Sequence, residues 1–318
     1  MKPMKPVVAL IALVLPAAGQ VKITAGAEKI AIEIAGKPFT DFHVAGPDVT
    51  KPYLHPLRAA TGTYVTRMWP MEDVPDEEGT KKDHQHQRGL WFAHEGVNGV
   101  DFWNNEASYT TPNRGRIVFR KLGTITSGKD KGTLAATFEW TGPTGEVLIR
   151  EDRVMTFYSG RTLRMIDFDI TLTAVRKVTF DDKKDGLFGI RLRPALQEDT
   201  GTGHISNADA LAGEKQVWGK PSDWCDYSGQ IDGEKLGIAI FDHPGNPRHP
   251  PHWHVRAYGL FAENPFGLSV FTGDASQNGS LVLQAGRQLR FRYRVVIHPG
   301  DAKSAGVAGL WKKYAAAR

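Results

Sequence analysis

The sequence predicts an all-β protein, a large antiparallel β-sandwich of the supersandwich type with few helices and a short C-terminal helix. Segments in which apolar and polar residues alternate recur along most of the chain. Turn-forming residues separate them, since the 318 residues include 34 Gly and 19 Pro. Only the segment from Ala302 to Ala317 has apolar residues at the three- and four-residue spacing of a helix. Short strands joined by turns are typical of antiparallel sandwiches and barrels.

The first 19 residues have the pattern of a secretory signal peptide. Two lysines precede an apolar run from Val7 to Leu15, and small residues follow it at 17–19. Such a run is too short to cross a bilayer as a helix, which takes about 20 residues. We therefore predict that residues 1–19 are a cleaved signal peptide and that 20–318 form a single β-sandwich domain without a membrane span. The expected location is the periplasm or the outside of the cell.

The mature sequence is predicted to be a succession of strands. Its first two strands alternate apolar with polar residues, and residues 36–40 are predicted to turn the chain. The last strand alternates most regularly, with five apolar residues on one face and Arg290, Arg292 and Arg294 on the other. The predicted strands are 21–24, 29–34, 116–122, 132–141, 147–158, 162–174, 186–192, 237–242, 255–261, 268–272, 280–283 and 288–298.

Composition and missing motifs disfavour several classes of protein. The chain is 41% hydrophobic and 24% charged, with a net charge of +5. Its Lys and Arg residues are spread along the chain without a recognisable module, so we predict no nucleic-acid binding. Glycine-rich phosphate and dinucleotide motifs are absent, as are the GxSxG and HExxH motifs, which disfavours NTPases, nicotinamide dehydrogenases and serine hydrolases. The single cysteine, Cys225, leaves no internal disulfide.

Histidines are concentrated in two segments. Seven of the eleven lie in 83–94 and 242–256, and each segment holds an HxH pair followed two residues later by an arginine. On an extended strand, residues two apart point to the same side, so each pair is predicted to present its two rings together. The two sets are His84, His86 and Arg88, and His252, His254 and Arg256.

Two kinds of chemistry fit these segments. A histidine held by a carboxylate is a ready general acid or base, and an arginine can hold an anionic group of a substrate. The catalytic residues predicted on this basis are His84, His86, Arg88, Asp101, His254 and Arg256. The alternative is a divalent metal bound by His84, His86, His252 or His254, because HxH pairs on strands are common metal ligands.

Aromatic and amide residues beside the histidines indicate a carbohydrate or another small polar substrate. An indole ring can stack on the C–H face of a sugar, while amides and imidazoles can bind its hydroxyls. The substrate-binding residues predicted from this pattern are Trp91, Asn98, Trp103, His243, Asn246, Trp253 and Asn264. Together, the two groups of residues predict a cleft formed by loops 83–106 and 242–266.

The same segments resemble a known family. The motifs are DHQHQRGLWF at 83–92, NGVDFW at 98–103, DHPGNPRHP at 242–250, WHVR at 253–256 and NPFG at 264–267. With these motifs, nearly the whole mature chain resembles DUF6807, a bacterial family of secreted proteins of unknown function. Gln87 stands where that family usually has a histidine. The strand-rich layout also resembles the β-supersandwich of the galactose-mutarotase type, which is found among carbohydrate-active hydrolases, lyases and epimerases. The family has also been labelled a methane-oxygenase membrane subunit, which would need several membrane spans that this sequence does not show.

We therefore expect a secreted or periplasmic carbohydrate-active enzyme, of the glycoside hydrolase or lyase type, that uses histidine and arginine for acid–base chemistry. A metal-dependent enzyme and a noncatalytic glycan-binding protein are the alternatives. A shared site requires the two histidine segments to meet in space. Their side chains cannot converge if residues 84–88 and 252–256 lie more than about 15 Å apart.

Overall fold

Antiparallel strands are the main secondary structure of the protein. The structure is a computed structural model that describes residues 20–317, so the predicted signal peptide lies outside the described residues. The helices are α1 (Glu214–Val217), α2 (Leu268–Thr272) and α3 (Val307–Ala315), with single 3-10 turns at Pro75–Glu77 and Pro194–Leu196. None of the helices within residues 20–317 has the length and apolar character needed to span a membrane. The strands are β1 (Val21–Ala25), β2 (Lys29–Ile34), β3 (Lys37–His43), β4 (Tyr53–His55), β5 (Leu90–His94), β6 (Arg116–Thr126), β7 (Lys131–Thr141), β8 (Val147–Tyr158), β9 (Arg164–Ala174), β10 (Val178–Phe180), β11 (Gly186–Arg191), β12 (His204–Asn207), β13 (Trp224–Ile231), β14 (Glu234–Asp242), β15 (His252–Val255), β16 (Leu260–Asn264), β17 (Leu281–Leu283) and β18 (Gln288–Pro299).

Two eight-stranded antiparallel sheets form the sandwich. The first sheet has the order β1-β2-β3-β4-β5-β11-β16-β15, and the second has the order β12-β13-β14-β18-β9-β8-β7-β6. A small sheet pairs β10 with β17. This architecture confirms the predicted all-β sandwich with few helices and a short C-terminal helix. Because β5, β11, β16 and β15 lie side by side, segments that are far apart in sequence reach the same end of the first sheet.

Aromatic side chains fill the space between the two sheets. The rings of Phe42 on β3 and Phe138 on β7 lie 6.0 Å apart, edge to face. Phe188 on β11 stacks on Tyr293 of β18 at 4.4 Å. Side chains alternate along a strand, so the neighbours of Phe42 and Phe188 point to the outer face of the first sheet.

The candidate site lies beside residues on the outer face of the first sheet. Trp91 pairs with Tyr53 on one side and with Gly189 on the other, and all three alternate with inward-facing residues. Across β16, the same row continues to His254 on β15. Arg191, two residues after Gly189, shares this outer face.

An ion pair lies buried between the sheets. The side chains of Arg153 and Glu151, both on β8, are 2% and 0% exposed, and their Nη2 and Oε1 atoms are 2.6 Å apart. Glu151 also accepts a hydrogen bond of 2.8 Å from the indole of Trp140. The Arg153 guanidinium lies within 5.8 Å of three phenylalanine rings. Each charge therefore depends on the other for its compensation.

Three local predictions are wrong. Residues 268–272 form α2, which ends at Gly273 in the left-handed conformation, rather than a strand. Residues 255–261 are not one strand, because the chain reverses there between β15 and β16. The turn predicted at 36–40 is confined to the two residues before β3, both with positive φ, which is the geometry of a tight hairpin.

The C-terminal helix starts later than the apolar spacing predicts. α3 begins at Val307, after a Gly306 in the left-handed conformation. Val307 and Tyr314 pack against Phe241 and Val296, which belong to the second sheet. The helix therefore covers part of that sheet and lies apart from the outer face of the first one.

Candidate functional site

The two histidine segments meet at Tyr258, in the turn between β15 and β16. The imidazole of His84 stacks on the Tyr258 ring, with centroids 5.2 Å apart and planes 9° from parallel. The guanidinium carbon of Arg256 lies 5.9 Å from the same ring. The two segments thus lie well within the distance that a shared site requires.

Strand register places Tyr258 at this point. β15 and β16 form a hairpin, and Gly259, with a φ of 88°, lets the chain reverse tightly. β11 lies beside β16, and its last residue, Arg191, pairs with Leu260. The Arg191 guanidinium carbon is 4.6 Å from the Tyr258 ring centroid. Tyr258 therefore contacts residues from three different parts of the chain.

The first HxH pair lies in a turn of the predicted loop and not on a strand. His84 has a φ of 50° and opens a turn in which the Gln87 N–H donates to the His84 carbonyl at 2.9 Å. Arg67 holds this turn by donating to the carbonyls of Asp83 and His84, each at 2.9 Å. The side chain of His84 is 38% exposed, whereas His86 is only 5% exposed. His84 is therefore the ring of this pair that a ligand can reach.

Asp83 lies against the exposed imidazole. Its Oδ1 atom is 2.9 Å from His84 Nδ1 and 3.5 Å from Arg191 Nη2, and its Oδ2 atom is 2.9 Å from Lys81 Nζ. Burial alone would raise the pKa of Asp83, but the contacts with His84, Lys81 and Arg191 outweigh it and lower the pKa to about 2. The carboxylate is thus ionised at neutral pH and faces Nδ1, which leaves Nε2 of His84 for a ligand.

A cleft of about 660 Å³ opens beside His84. Its volume falls in the range of about 300–1,000 Å³ that is usual for small-molecule sites. In the described part of the chain, three carboxylates and two cationic side chains line it, together with the Tyr258 ring. The cleft is therefore polar without a strong excess of one charge. The lining includes Asp76, Asp83, His84, Arg191, Asp199 and Tyr258.

Three predicted catalytic residues are engaged within the protein. His86 is buried with its Nδ1 3.0 Å from the Tyr109 hydroxyl, and burial lowers the pKa of His86 to about 2. Arg88 donates two hydrogen bonds to Glu106, of 3.0 and 2.6 Å. Asp101 accepts two bonds of 2.8 Å from the backbone N–H groups two and three residues later. The geometry thus supports structural roles for His86, Arg88 and Asp101.

The second HxH pair lies on β15, ahead of the strand predicted at 255–261, yet neither of its histidines lines the cleft. His254 is 3% exposed, its Nδ1 is 3.4 Å from Asp185, and burial lowers the pKa of His254 to about 4. His252 stacks on a phenyl ring of α2 at 5.7 Å. Arg256 lies nearer the cleft, with its Nε 3.1 Å from Glu214. Of these three, Arg256 is the residue that borders Tyr258.

The histidines do not converge on a metal-binding geometry. Within residues 20–317, no group of three or more His, Cys, Asp or Glu side chains is arranged to hold a metal ion. The first pair contacts a carboxylate and a phenol, and the second contacts a different carboxylate and a phenyl ring. The donor set therefore does not fit the divalent metal of the alternative prediction.

The three tryptophans predicted to stack on a sugar are core residues. Trp91, Trp103 and Trp253 are each 0% exposed. The rings of Trp91 and Trp103 pack edge to face at 4.9 Å, and Trp253 donates its indole N–H to the Ser222 carbonyl at 2.9 Å. A Cβ atom on Gly189 would lie 2.8 Å from the Trp103 ring and 3.1 Å from that of Trp91. Because these indoles are covered on all sides, the prediction that they bind substrate is wrong.

The four polar residues predicted to bind substrate form their hydrogen bonds within the protein. Asn98 accepts a backbone hydrogen bond of 2.7 Å from the β10 segment, and Asn264 donates to two carbonyls at 2.8 and 2.9 Å. Asn246 exchanges two bonds of 2.7 Å with the backbone of β18. His243 accepts a backbone bond of 2.9 Å two residues on and borders a separate groove beside β18. These side chains hold loops, and none of them lines the cleft.

Sequence reasoning missed the residues that complete the site. Arg67, Arg191 and Tyr258 come from three separate segments, and each of them contacts Asp83 or His84. Two of them had a local signal. Arg191 lies one residue before the end of a predicted strand, and Tyr258 directly precedes a glycine. Functional residues are often found on loops that a rigid sheet positions.

Comparison with known proteins gives a family and several distant folds. The model of a family described as "Family of unknown function (DUF6807)" matches residues 29–312. No curated protein matches the chain in sequence.

Among solved structures, a GH36 alpha-galactosidase from Geobacillus stearothermophilus aligns with 8% identity and a TM-score of 0.46, over 90% of this chain and 41% of that one. An alpha-galactosidase from Lactobacillus brevis aligns with 9% identity and a TM-score of 0.42, over 91% and 41%. A galactose mutarotase-like protein from Clostridium acetobutylicum aligns with 10% identity and a TM-score of 0.43, over 88% and 98%. The chain thus matches less than half the length of the two galactosidases.

Proposed function

This chain belongs to DUF6807, a family of unknown function, and we propose that it is an exported carbohydrate-active enzyme of the glycoside hydrolase or lyase type. The observation that carries the proposal is the 2.9 Å contact between Asp83 and His84 at the edge of a polar cleft. A carboxylate–imidazole pair that a ligand can reach is a common arrangement for moving a proton to or from a substrate.

His84 is the proposed general acid and base. An imidazole whose Nδ1 faces an ionised carboxylate keeps a fixed orientation and can exchange a proton through Nε2. The stacked ring of Tyr258 restricts the imidazole further. Proton transfer by a positioned side chain contributes about 10²–10⁴-fold to a rate.

Arg191 is the proposed positioning residue of this pair, because its side chain is only 2% exposed. Its Nη1 donates to the Gln87 side chain at 2.5 Å, and its Nη2 lies 3.5 Å from Asp83. A buried guanidinium that is held in this way fixes the carboxylate beside His84. Proton transfer in hydrolysis or in elimination would then use His84.

Neutral polyhydroxylated ligands suit the lining of the cleft. Asp76, whose Oδ2 accepts from Tyr64 and Arg193, keeps its Oδ1 for a ligand hydroxyl. Asp199 supplies a second carboxylate. Since three carboxylates offset two cationic side chains, an anionic ligand would gain no net attraction. A neutral sugar is therefore the favoured substrate class for hydrolysis, whereas elimination would require a uronate, whose carboxylate acidifies the proton that is removed.

The test compares His84→Gln with His252→Gln on a panel of oligosaccharides and aryl glycosides. Reducing ends report hydrolysis, and ultraviolet absorbance of an unsaturated product reports elimination. We expect His84→Gln to lose about 10²–10⁴-fold in kcat/KM. His252→Gln, from the HxH pair outside the cleft, should stay within about threefold of wild type.

Two outcomes would overturn the proposal. Full activity of a folded His84→Gln protein would remove the histidine from the reaction. Sugar binding without turnover of any panel member would identify a noncatalytic glycan-binding protein instead. Thermal unfolding of both variants shows whether a loss of activity reflects a loss of fold.

A further inference from the structure

A second cavity lies next to the cleft, beneath Trp69. Of the eight tryptophans, five are buried, whereas Trp69 is half-buried and lines a cavity of about 310 Å³. The rest of its lining consists of residues 72–75, Glu77, Glu78 and Lys82. An indole that borders a cavity of this kind is free to contact a ligand, unlike the indoles packed in the core.

Trp69 is held with one ring face covered. The guanidinium carbon of Arg67 lies 4.9 Å from the ring centroid, and the Arg67 side chain is only 2% exposed. The buried Arg67 therefore covers one face of the ring, and the Trp69 side chain also lines the cavity. The buried carboxylate of Glu77 accepts hydrogen bonds of 2.8 and 3.1 Å from the backbone of Met68 and Trp69, which fixes the platform.

The same residues connect Trp69 to the cleft. Arg67, which supports the indole, also donates to the carbonyls of Asp83 and His84, each at 2.9 Å. The segment 72–82 lies between the two cavities, since Asp76 and residues 79–81 line the cleft while Val74 and Pro75 line the Trp69 cavity. One guanidinium thus separates the indole from the Asp83–His84 pair.

We propose that the Trp69 cavity binds a second sugar ring of the substrate whose reacting bond lies at His84. The substrate would then be an oligosaccharide of at least two rings rather than a monosaccharide, an inference that rests on the proposed function. The indole face would stack on the C–H face of the ring. The exposed carboxylates of Glu72 and Glu78 would accept from its hydroxyls, while Asp73 is paired with Lys82.

The test measures binding, so that it can be separated from turnover. Gluco-, galacto- and xylo-oligosaccharides of one to four rings are titrated by calorimetry into His84→Gln protein with Trp69, Trp69→Phe or Trp69→Ala. We expect Kd to fall about tenfold between one ring and two rings when Trp69 is present. This gain should be partly kept by Trp69→Phe and lost in Trp69→Ala. Trp218→Phe, a half-buried indole that packs against Phe271, is the matched control and should keep the whole gain.

The other outcomes each contradict the inference in a recognisable way. Binding that is independent of chain length, or equal with and without the indole, overturns the second subsite and leaves the proposed function intact. No binding of any sugar to wild-type or variant protein refutes both proposals. Saturable binding of tetramethylammonium that depends on Trp69, without sugar binding there, would show a cation site formed by the acidic lining.

Discussion

The ring of Tyr258 allows the assembly of the site to be measured as a free energy. Two arginines lie over this ring in different surroundings. Arg191 is 4.6 Å from the centroid with its side chain 2% exposed, whereas Arg256 is 5.9 Å away with its side chain 38% exposed. Cation–π pairs contribute about 0.5–1 kcal/mol when exposed and about 2 kcal/mol when desolvated. We therefore expect a coupling energy of about 2 kcal/mol for Arg191 with Tyr258 and about 0.5 kcal/mol or less for Arg256.

Two double-mutant cycles provide the assay. Arg191→Met, Arg256→Met and Tyr258→Leu are made singly and in the two arginine–tyrosine combinations, and urea unfolding gives the free energy of each protein. In each cycle, the free energy lost because the arginine no longer contacts its other partners cancels, so that only the arginine–tyrosine interaction energy remains. Equal coupling energies in the two cycles, or a larger value for Arg256, would refute the reasoning that the buried Arg191 makes the stronger contact with the Tyr258 ring.

Three further predictions concern the scaffold around the site. Arg153→Met should destabilise the protein by about 3–5 kcal/mol, because it leaves Glu151 charged and unpaired between the sheets. Urea unfolding should show that adding Glu151→Gln recovers most of this loss, and an equal loss in both proteins would contradict the account. Gly189→Ala should cost about 1–3 kcal/mol by thermal unfolding, since the added methyl group meets two packed indoles. An unchanged unfolding temperature would mean that these indoles can move aside. Burial by itself lowers the pKa of His298, but the Asp226 carboxylate, 2.7 Å away, outweighs it and raises the pKa. The stabilisation is then complete below about pH 6.5 and is lost as the pH rises through the folded-state pKa. The difference in unfolding free energy between wild type and His298→Gln should therefore shrink as the pH rises above about 6.5, and a difference that widens would exclude the ion pair.

The alternation of side chains made the sandwich predictable. The last strand was expected at 288–298 and is observed at Gln288–Pro299, because its apolar side faces the core and its arginines face outward. The alternation failed where a strand is buried on both faces or where a short segment is held by contacts from elsewhere. Residues 268–272 are such a case, since they form a helix whose Phe271 packs on His252.

The candidate site was only partly predictable, for a physical reason. The histidine segments could be recognised by composition, but Tyr258 and Arg191 reach them through the order of strands in the first sheet, which no local pattern encodes. The burial of Trp91 was likewise not predictable from the local sequence. Its outer face is covered by Trp103, from a loop whose path depends on the finished sheet.

The position of β15 has a consequence for how the site can be lost. β15 is the last strand of the first sheet, and on its outer side its Trp253 exchanges backbone hydrogen bonds with Gly219 and Lys220. Terminal strands open locally at a lower free energy than central ones. Such an opening would carry the Tyr258 turn away from His84 while both sheets stay folded. The protein can therefore lose its cleft without denaturing, and slow amide exchange in the central strands would not report that loss.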